Sequence, residues 1–197
     1  MRTRSAGGSH TIADPDLAAA DRAALLALAR RAIGAALAGD ATPEVPDVPG
    51  ARLRRGAFVT LDEQRDGALR GCIGRIAADR PLGEVVREVA VSAAQDDPRF
   101  PAVAPDELPD LRIEISVLGE PSPLQPADPG RLVMGRDGVL VRRGRRVGLL
   151  LPQVAAEHGL DAEAFLAAAS RKAGLGPRAW REPGTRVFTF QADVFGE

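Results

Sequence analysis

At 197 residues and a formal net charge of −1, the chain is long enough to bury roughly 70% of its unfolded surface, so a hydrophobic core needs no staples. A single cysteine rules out an internal disulfide and a Cys-rich zinc site. The near-neutral charge argues against a generally basic nucleic-acid binder, and a reducing cytoplasm is the expected setting.

Residues 1–13 begin with Arg2 and Arg4 but turn to Ser, Gly and His where a signal peptide needs an apolar core, so a flexible tail is expected. Asp14-Pro15 then supplies an N-cap and a first helical proline, with Leu17, Leu25, Leu28, Ala32 and Ala35 on one face and Gly39 as the stop. Asp21, Arg22, Arg30 and Arg31 interrupt that stretch, which falls short of the ~18 uncharged apolar residues of a membrane span, and no association with a membrane is expected. Pro43, Pro46 and Pro49 make residues 40–52 a constrained connector without regular structure.

A hairpin follows, AFVTL and ALRGCIG joined by Asp62 to Gly67. Strand alternation sets Leu69, Gly71 and Ile73 on one face and Arg70, Cys72 and Gly74 on the other. Pro81 to Gln95 has helical spacing through Leu82, Val85, Val86, Val89 and Ala93, and Pro98 marks its end. The Pro-rich segment beyond it allows only a short turn at 105–108. LRIEISVL then alternates cleanly as a strand, residues 111–118.

Arg136-Asp137-Gly138 predicts a hairpin turn, and VLVRRG with RRVGLLLP a further hairpin through Gly144. Asp161 caps a helix to about Ala173, closed by Gly174, and TRVFTFQADVF ends the chain as one strand. The order lacks βαβ alternation. It predicts an α+β fold, mostly antiparallel sheet with packed helices, forming one domain over 14–197 that is open to division into two lobes.

Chemistry is expected at few positions. Cys72 is either a thiol activated by Arg70 on the same strand face, with flanking glycines admitting a ligand, or a small apolar core residue. His10 lies in the tail and His158 at a helix end, where capping is the ordinary role. Glu114 interrupts an apolar strand: on a covered face it must pair, and it then suits a general base or a ligand anchor, whereas on a wet face it is only polar. Lys172 is the sole lysine among 26 Lys and Arg residues, a hint that an ammonium fits where a planar guanidinium does not. Phosphate-binding glycine loops and the GxSxG elbow are absent, so no cofactor is expected, nor a metal. Trp180 suits the core. Arg142, Arg143, Arg145 and Arg146 flank Gly144 as a phosphate or nucleic-acid contact or, more plainly, as an exposed hairpin tip.

LRGCIG, AAQDDPRFPAV, LRIEISVL, GLLLPQVA and the RKAGL…W…VFTF tail together resemble, over residues 15–197, the AMME chromosomal region protein family, whose bacterial and archaeal members are called AmmeMemoRadiSam system protein A. The resemblance implies a larger and a smaller lobe with a cleft faced by the LRGCIG signature, and association with a Memo-like protein and a radical SAM protein. Its motifs fall on Leu69 to Gly74, on Asp97, Pro98, Arg99 and Phe100, on Glu114 and Ser116, on Leu151, Pro152 and Gln153, and on Lys172, Ala173 and Gly174. Two readings follow. In the first, an accessory protein holds an anionic small molecule or a partner segment, with Arg70, Gly71, Gly74, Arg99, Ser116 and Gln153 as ligand-binding residues. In the second, an enzyme uses Cys72 as nucleophile and Glu114 or Lys172 as proton carrier.

Overall fold

The computed structural model describes residues 17–125 and 127–197. The expected tail, His10 and the Asp14-Pro15 cap lie outside them. Helix α1 (Ala19–Ala38) follows an extended Ala18 and ends on Gly39, whose φ of 73° lets its N–H reach the Ala35 and Ala36 carbonyls. Leu17 therefore packs from outside the helix, and the buried stripe runs through Leu25, Leu28, Ala29, Ala32 and Ile33, leaving Ala35 only partly covered. The connector is not wholly irregular. Pro49 opens a one-turn helix, α2 (Pro49–Arg52), because its fixed φ suits a first helical position.

Strands β1 (Ala57–Glu63), β2 (Leu69–Arg75), β3 (Leu111–Leu118) and β8 (Ala192–Gly196) form an antiparallel sheet in the order β2-β1-β3-β8. Its inner face carries Val59, Leu61, Ile113 and Ile115, which share a core with α1 and with Val85, Val86, Val89 and Ala93 of α3 (Leu82–Gln95). Strands β4 (Ser122–Pro123), β5 (Gly138–Arg143), β6 (Arg146–Leu150) and β7 (Arg186–Phe190) form a second antiparallel sheet, in the order β4-β7-β5-β6. Val139, Val141 and Val187 pack there against Phe165, Leu166 and Ala169 of α5 (Ala162–Lys172) and against Trp180. A shorter helix, α4 (Pro152–Glu157), follows β6. The fold is α+β, as the element order predicts.

Two expected elements differ. The turn at 134–136 does not join two strands, because Asp137 turns its carboxylate back to accept the Val133 N–H at 2.9 Å and bind Arg136 at 2.8 Å. The ladder partners of β5 are β6 and β7. The C-terminal segment is also two strands, divided at Gln191, with β7 in one sheet and β8 in the other. The Gln191 carbonyl accepts the Gly119 N–H at 2.8 Å, so the two passages between sheets, β3 to β4 and β7 to β8, run side by side. A third core cluster, Leu118, Leu140, Leu149, Leu151 and Phe190 with Phe58, Ile76 and Ala192 against it, fills the seam they cross.

Candidate functional site

The register of β2 on β1 jumps between Leu61↔Gly71 and Asp62↔Leu69, leaving Arg70 as the extra residue of a bulge. That bulge breaks the alternation that predicts Arg70 beside Cys72. Its buried guanidinium is instead taken up by the Glu107 carboxylate at 2.9 and 3.0 Å and by the carbonyls of Pro101 and Ala102. The next residue, Gly71, faces α3, where a Cβ would lie 2.2 Å from the Ala93 carbonyl oxygen. Gly74 lies under the Phe58 ring, 2.2 Å from where its Cβ would be. Arg70, Gly71 and Gly74 thus secure the strand on which Cys72 stands.

β2 is a sheet edge, and an edge strand carries backbone groups that need partners. The Asp97 carboxylate accepts the Cys72 N–H at 2.9 Å, while an Arg99 N–H donates to the Cys72 carbonyl at 3.3 Å. Arg99 and Asp97 also bind each other at 2.6 to 2.9 Å. The Arg99 guanidinium, helped by the N–H groups of Cys72 and Arg99 and opposed by burial, holds the Asp97 carboxyl well below the usual carboxylate range. The DPR motif therefore stands in for a missing neighbouring strand.

On the face away from α1 and α3, ladder register lines up Cys72, Thr60, Glu114 and Gly196 in one row, and Gly74, Phe58, Ser116 and Val194 in the next. At about 4.8 Å between strands, Cys72 and Glu114 stand roughly 10 Å apart along that row. The Thr60 hydroxyl donates to the Cys72 sulfur at 3.3 Å. Burial pushes the half-buried thiol up, against the Thr60 hydrogen bond and the charges of Arg99 and Lys172, which pull it down. Lys172, in the last turn of α5, comes from the other sheet's helix. Desolvation lowers its ammonium, with Arg99 adding and Cys72 opposing. Among the described residues that ammonium has no hydrogen-bond or ion-pair partner, although the side chain as a whole is solvent-exposed.

The other end of the row is acidic. Burial, then the charges of Asp62 and Glu157, push the Glu114 carboxyl up, with Arg112 opposing. Asp62 is raised by burial and by Glu157 in the same way, again against Arg112. A cavity of about 480 Å³ opens here, lined by Glu114, Gln153, Glu157, Arg136 and Val194 among others. Expected residues Cys72, Glu114, Lys172, Arg99 and Gln153 therefore surround one polar sheet face. Ser116 lies one row deeper, 1% exposed, its hydroxyl without a partner among the described residues. Thr60, Asp62 and Glu157 were not legible as site residues. None of the three left a signal, since a hairpin closed by the Asp62 to Gly67 turn sets Thr60 opposite Leu69, and only the observed pairing, with its register jump at Arg70, moves it opposite Cys72.

Among the described residues no group of three or more His, Cys, Asp or Glu side chains is placed to hold a metal, and no helix is long and apolar enough to cross a membrane. His158 ends α4 with its ring Nδ1 3.2 Å from the Val154 carbonyl. The arginines about Gly144 are partly engaged: Arg142 stacks on Phe188, Arg143 binds Thr185 and Glu182, and Arg146 reaches the Gly174 carbonyl.

A family model described as AMMECR1 matches residues 26–195. A protein of Methanothermobacter thermautotrophicus is 49% identical over 179 residues, covering 88% of this chain and 92% of its own. Protein TK0174 of Thermococcus kodakarensis is 43% identical over 181 residues, 88% of each chain. The crystal structure of the uncharacterized protein PH0010 from Pyrococcus horikoshii superposes with a TM-score of 0.82 at 41% identity, covering 88% of this chain and 89% of that one.

Proposed function

The chain belongs to the AMMECR1 family, and from that premise we propose that it is an accessory protein that binds an anionic small molecule, or an anionic segment of a partner, on the polar face of β1, β2 and β3. One observation carries this reading: a Lys172 ammonium with no hydrogen-bond or ion-pair partner among the described residues lies within electrostatic reach of Arg99 and of a Cys72 thiol that burial pushes up. A thiol kept protonated is a poor nucleophile, because the thiolate is the attacking species. Lys172, with the outer nitrogens of Arg99, offers charge to an anion, while Gln153 and Glu114 offer an acceptor and donors to its far end. The partners implied by the resemblance, a Memo-like protein and a radical SAM protein, belong to this reading as the source or destination of the ligand.

The enzyme reading keeps one support. Desolvation shifts Glu114 up and Lys172 down, the directions that proton transfer requires. Native mass spectrometry of protein purified without added ligand tests the binding reading. A retained small molecule or partner peptide is expected, with retention reduced about tenfold or more in Lys172→Met. Equal retention in wild type, Lys172→Met and Glu114→Gln would refute it, and turnover lost in Cys72→Ser with binding intact would favour the enzyme.

A further inference from the structure

A second cavity, of about 280 Å³, opens on the seam beyond the polar row, toward Gly56 and Leu118, and shares no lining residue with the cavity beside Glu114. Ile76, Leu118, Leu149 and Phe190 supply an apolar body, and Arg54 and Arg55 supply charge. Arg55 is the anomaly. Its Nε is buried and has no hydrogen-bond partner among the described residues, while its Nη1 reaches the Arg54 carbonyl at 3.2 Å and the Glu120 carboxylate at only 3.3 Å. Glu120 is 79% exposed on its side chain, so it is a loose, replaceable partner. Arg54 rests on the Asp79 carbonyl, a neutral acceptor that leaves its charge uncompensated at that contact. An unmade hydrogen bond on a buried guanidinium N–H is costly, and a planar carboxylate satisfies Nε and a terminal nitrogen together.

We propose that this cavity is a binding site for a small monocarboxylate with an apolar body, its carboxylate displacing Glu120 from Arg55 and its hydrocarbon part lying on Leu118, Leu149 and Phe190. The volume is at the lower end of ligand pockets, which selects a molecule of about benzoate size. Because Leu118 and Phe190 lie at the two passages between sheets, the occupant touches both and stiffens the seam.

Benzoate is the probe, titrated by calorimetry and by amide NMR shifts into the full chain. Saturable binding is expected, with the largest shifts at Gly56, Ile76 and Gly119. Arg55→Met is expected to weaken it about tenfold or more, and benzyl alcohol, which keeps the ring but lacks the charge, to bind about tenfold more weakly than benzoate. Glu120→Gln removes the competing carboxylate and is expected to tighten binding about threefold. Lys172→Met is expected to leave benzoate affinity unchanged, which separates this site from the polar face. The proposal is overturned if benzoate fails to saturate the Glu120→Gln protein, if benzyl alcohol binds as well, if inorganic phosphate displaces benzoate at equal concentration, or if Lys172→Met abolishes binding. Should Arg55→Met fail to fold, the alcohol comparison and Glu120→Gln still decide.

Discussion

In the first sheet, α3 approaches edge strand β2 so closely that a Cβ at Gly71 would lie 2.2 Å from a carbonyl oxygen, that of Ala93. In the second, α5 approaches edge strand β6 equally closely, and a Cβ at Gly148 would meet the Ala169 carbonyl at 2.2 Å. Each sheet also lays a phenylalanine over a cross-strand glycine, Phe58 on Gly74 and Phe190 on Gly138. The edges themselves differ. β2 is sealed by Asp97 and Arg99 and braced by buried Arg70, whereas β6 begins with exposed Arg146 and a Val147 that is 39% exposed. The shared device is helix-on-glycine packing. The polar row with Cys72 belongs to the sheet whose edge is sealed, because only a fixed edge strand holds a half-buried thiol in register with Thr60 and Glu114.

The strongest way to break the comparison is to fill both glycines. Gly71→Ala and Gly148→Ala each force a helix backbone outward and are expected to cost about 3 kcal/mol or more, lowering Tm by about 6–12 °C. Calorimetry should show one shifted transition for each, since the Gly119–Gln191 hydrogen bond and the seam cluster tie the sheets together. Two transitions, with only one displaced, would mean the sheets melt separately.

The arginine braces sharpen the contrast. Arg70→Met removes a buried cation from Glu107 and two carbonyls and is expected to cost roughly 3 kcal/mol. In the second sheet, Arg143→Met breaks a partly exposed pair with Glu182 and should cost less than about 1 kcal/mol by urea denaturation.

The seal on β2 comes next. Asp97→Asn is expected to cost about 1–2 kcal/mol at neutral pH. Because the Asp97 carboxyl is depressed in the folded state, its contribution is complete above the ordinary Asp pKa near 4 and is lost as pH falls from there. The Asn variant should therefore show a flatter acid limb in a Tm-against-pH series, converging with wild type at low pH.

Iodoacetamide tests the thiol. Alkylation of Cys72 is expected to be slow at pH 7.5 and to accelerate only above about pH 9. Lys172→Met, which removes a charge that pulls the thiol down, should slow it a further two- to threefold at fixed pH, by order of magnitude. Rapid alkylation at neutral pH would revive the nucleophile.

The smallest effect is at Glu114. Its carboxyl is raised in the folded state, so ionising it costs stability as pH climbs from the ordinary Glu pKa through the folded value. Glu114→Gln should match wild type in acid and gain about 1–2 °C in Tm at neutral pH.

Periodic segments were legible because their signal is local. LRIEISVL is β3 from end to end, Asp161 accepts the Ala164 N–H at the start of α5, and Gly39 ends α1. Arg70 was misplaced because a bulge depends on how β1 and β2 pair, which strand alternation cannot register. The split at Gln191 was hidden for a related reason: RVFTF and ADVF are each sound strand patterns, and only the neighbours available to them assign them to different sheets. Ser116 carries a family motif yet sits beneath the seam, a depth that no spacing along the strand encodes.

By itself the amino-acid sequence determined the three long helices, most strands, the α+β class and the kinship, since propensity, periodicity and capping act over a few residues. Only the tertiary structure decided that Cys72 and Glu114 share one row of a sheet face and that the charge of Lys172 acts on Cys72. Ladder register across β2-β1-β3 sets the first two about 10 Å apart on one face, and packing of the second sheet's α5 brings the amine within electrostatic reach of the sulfur. Those separations arise from pairing between segments distant in the chain, where the energy of the whole core, and no local preference, chooses the partner.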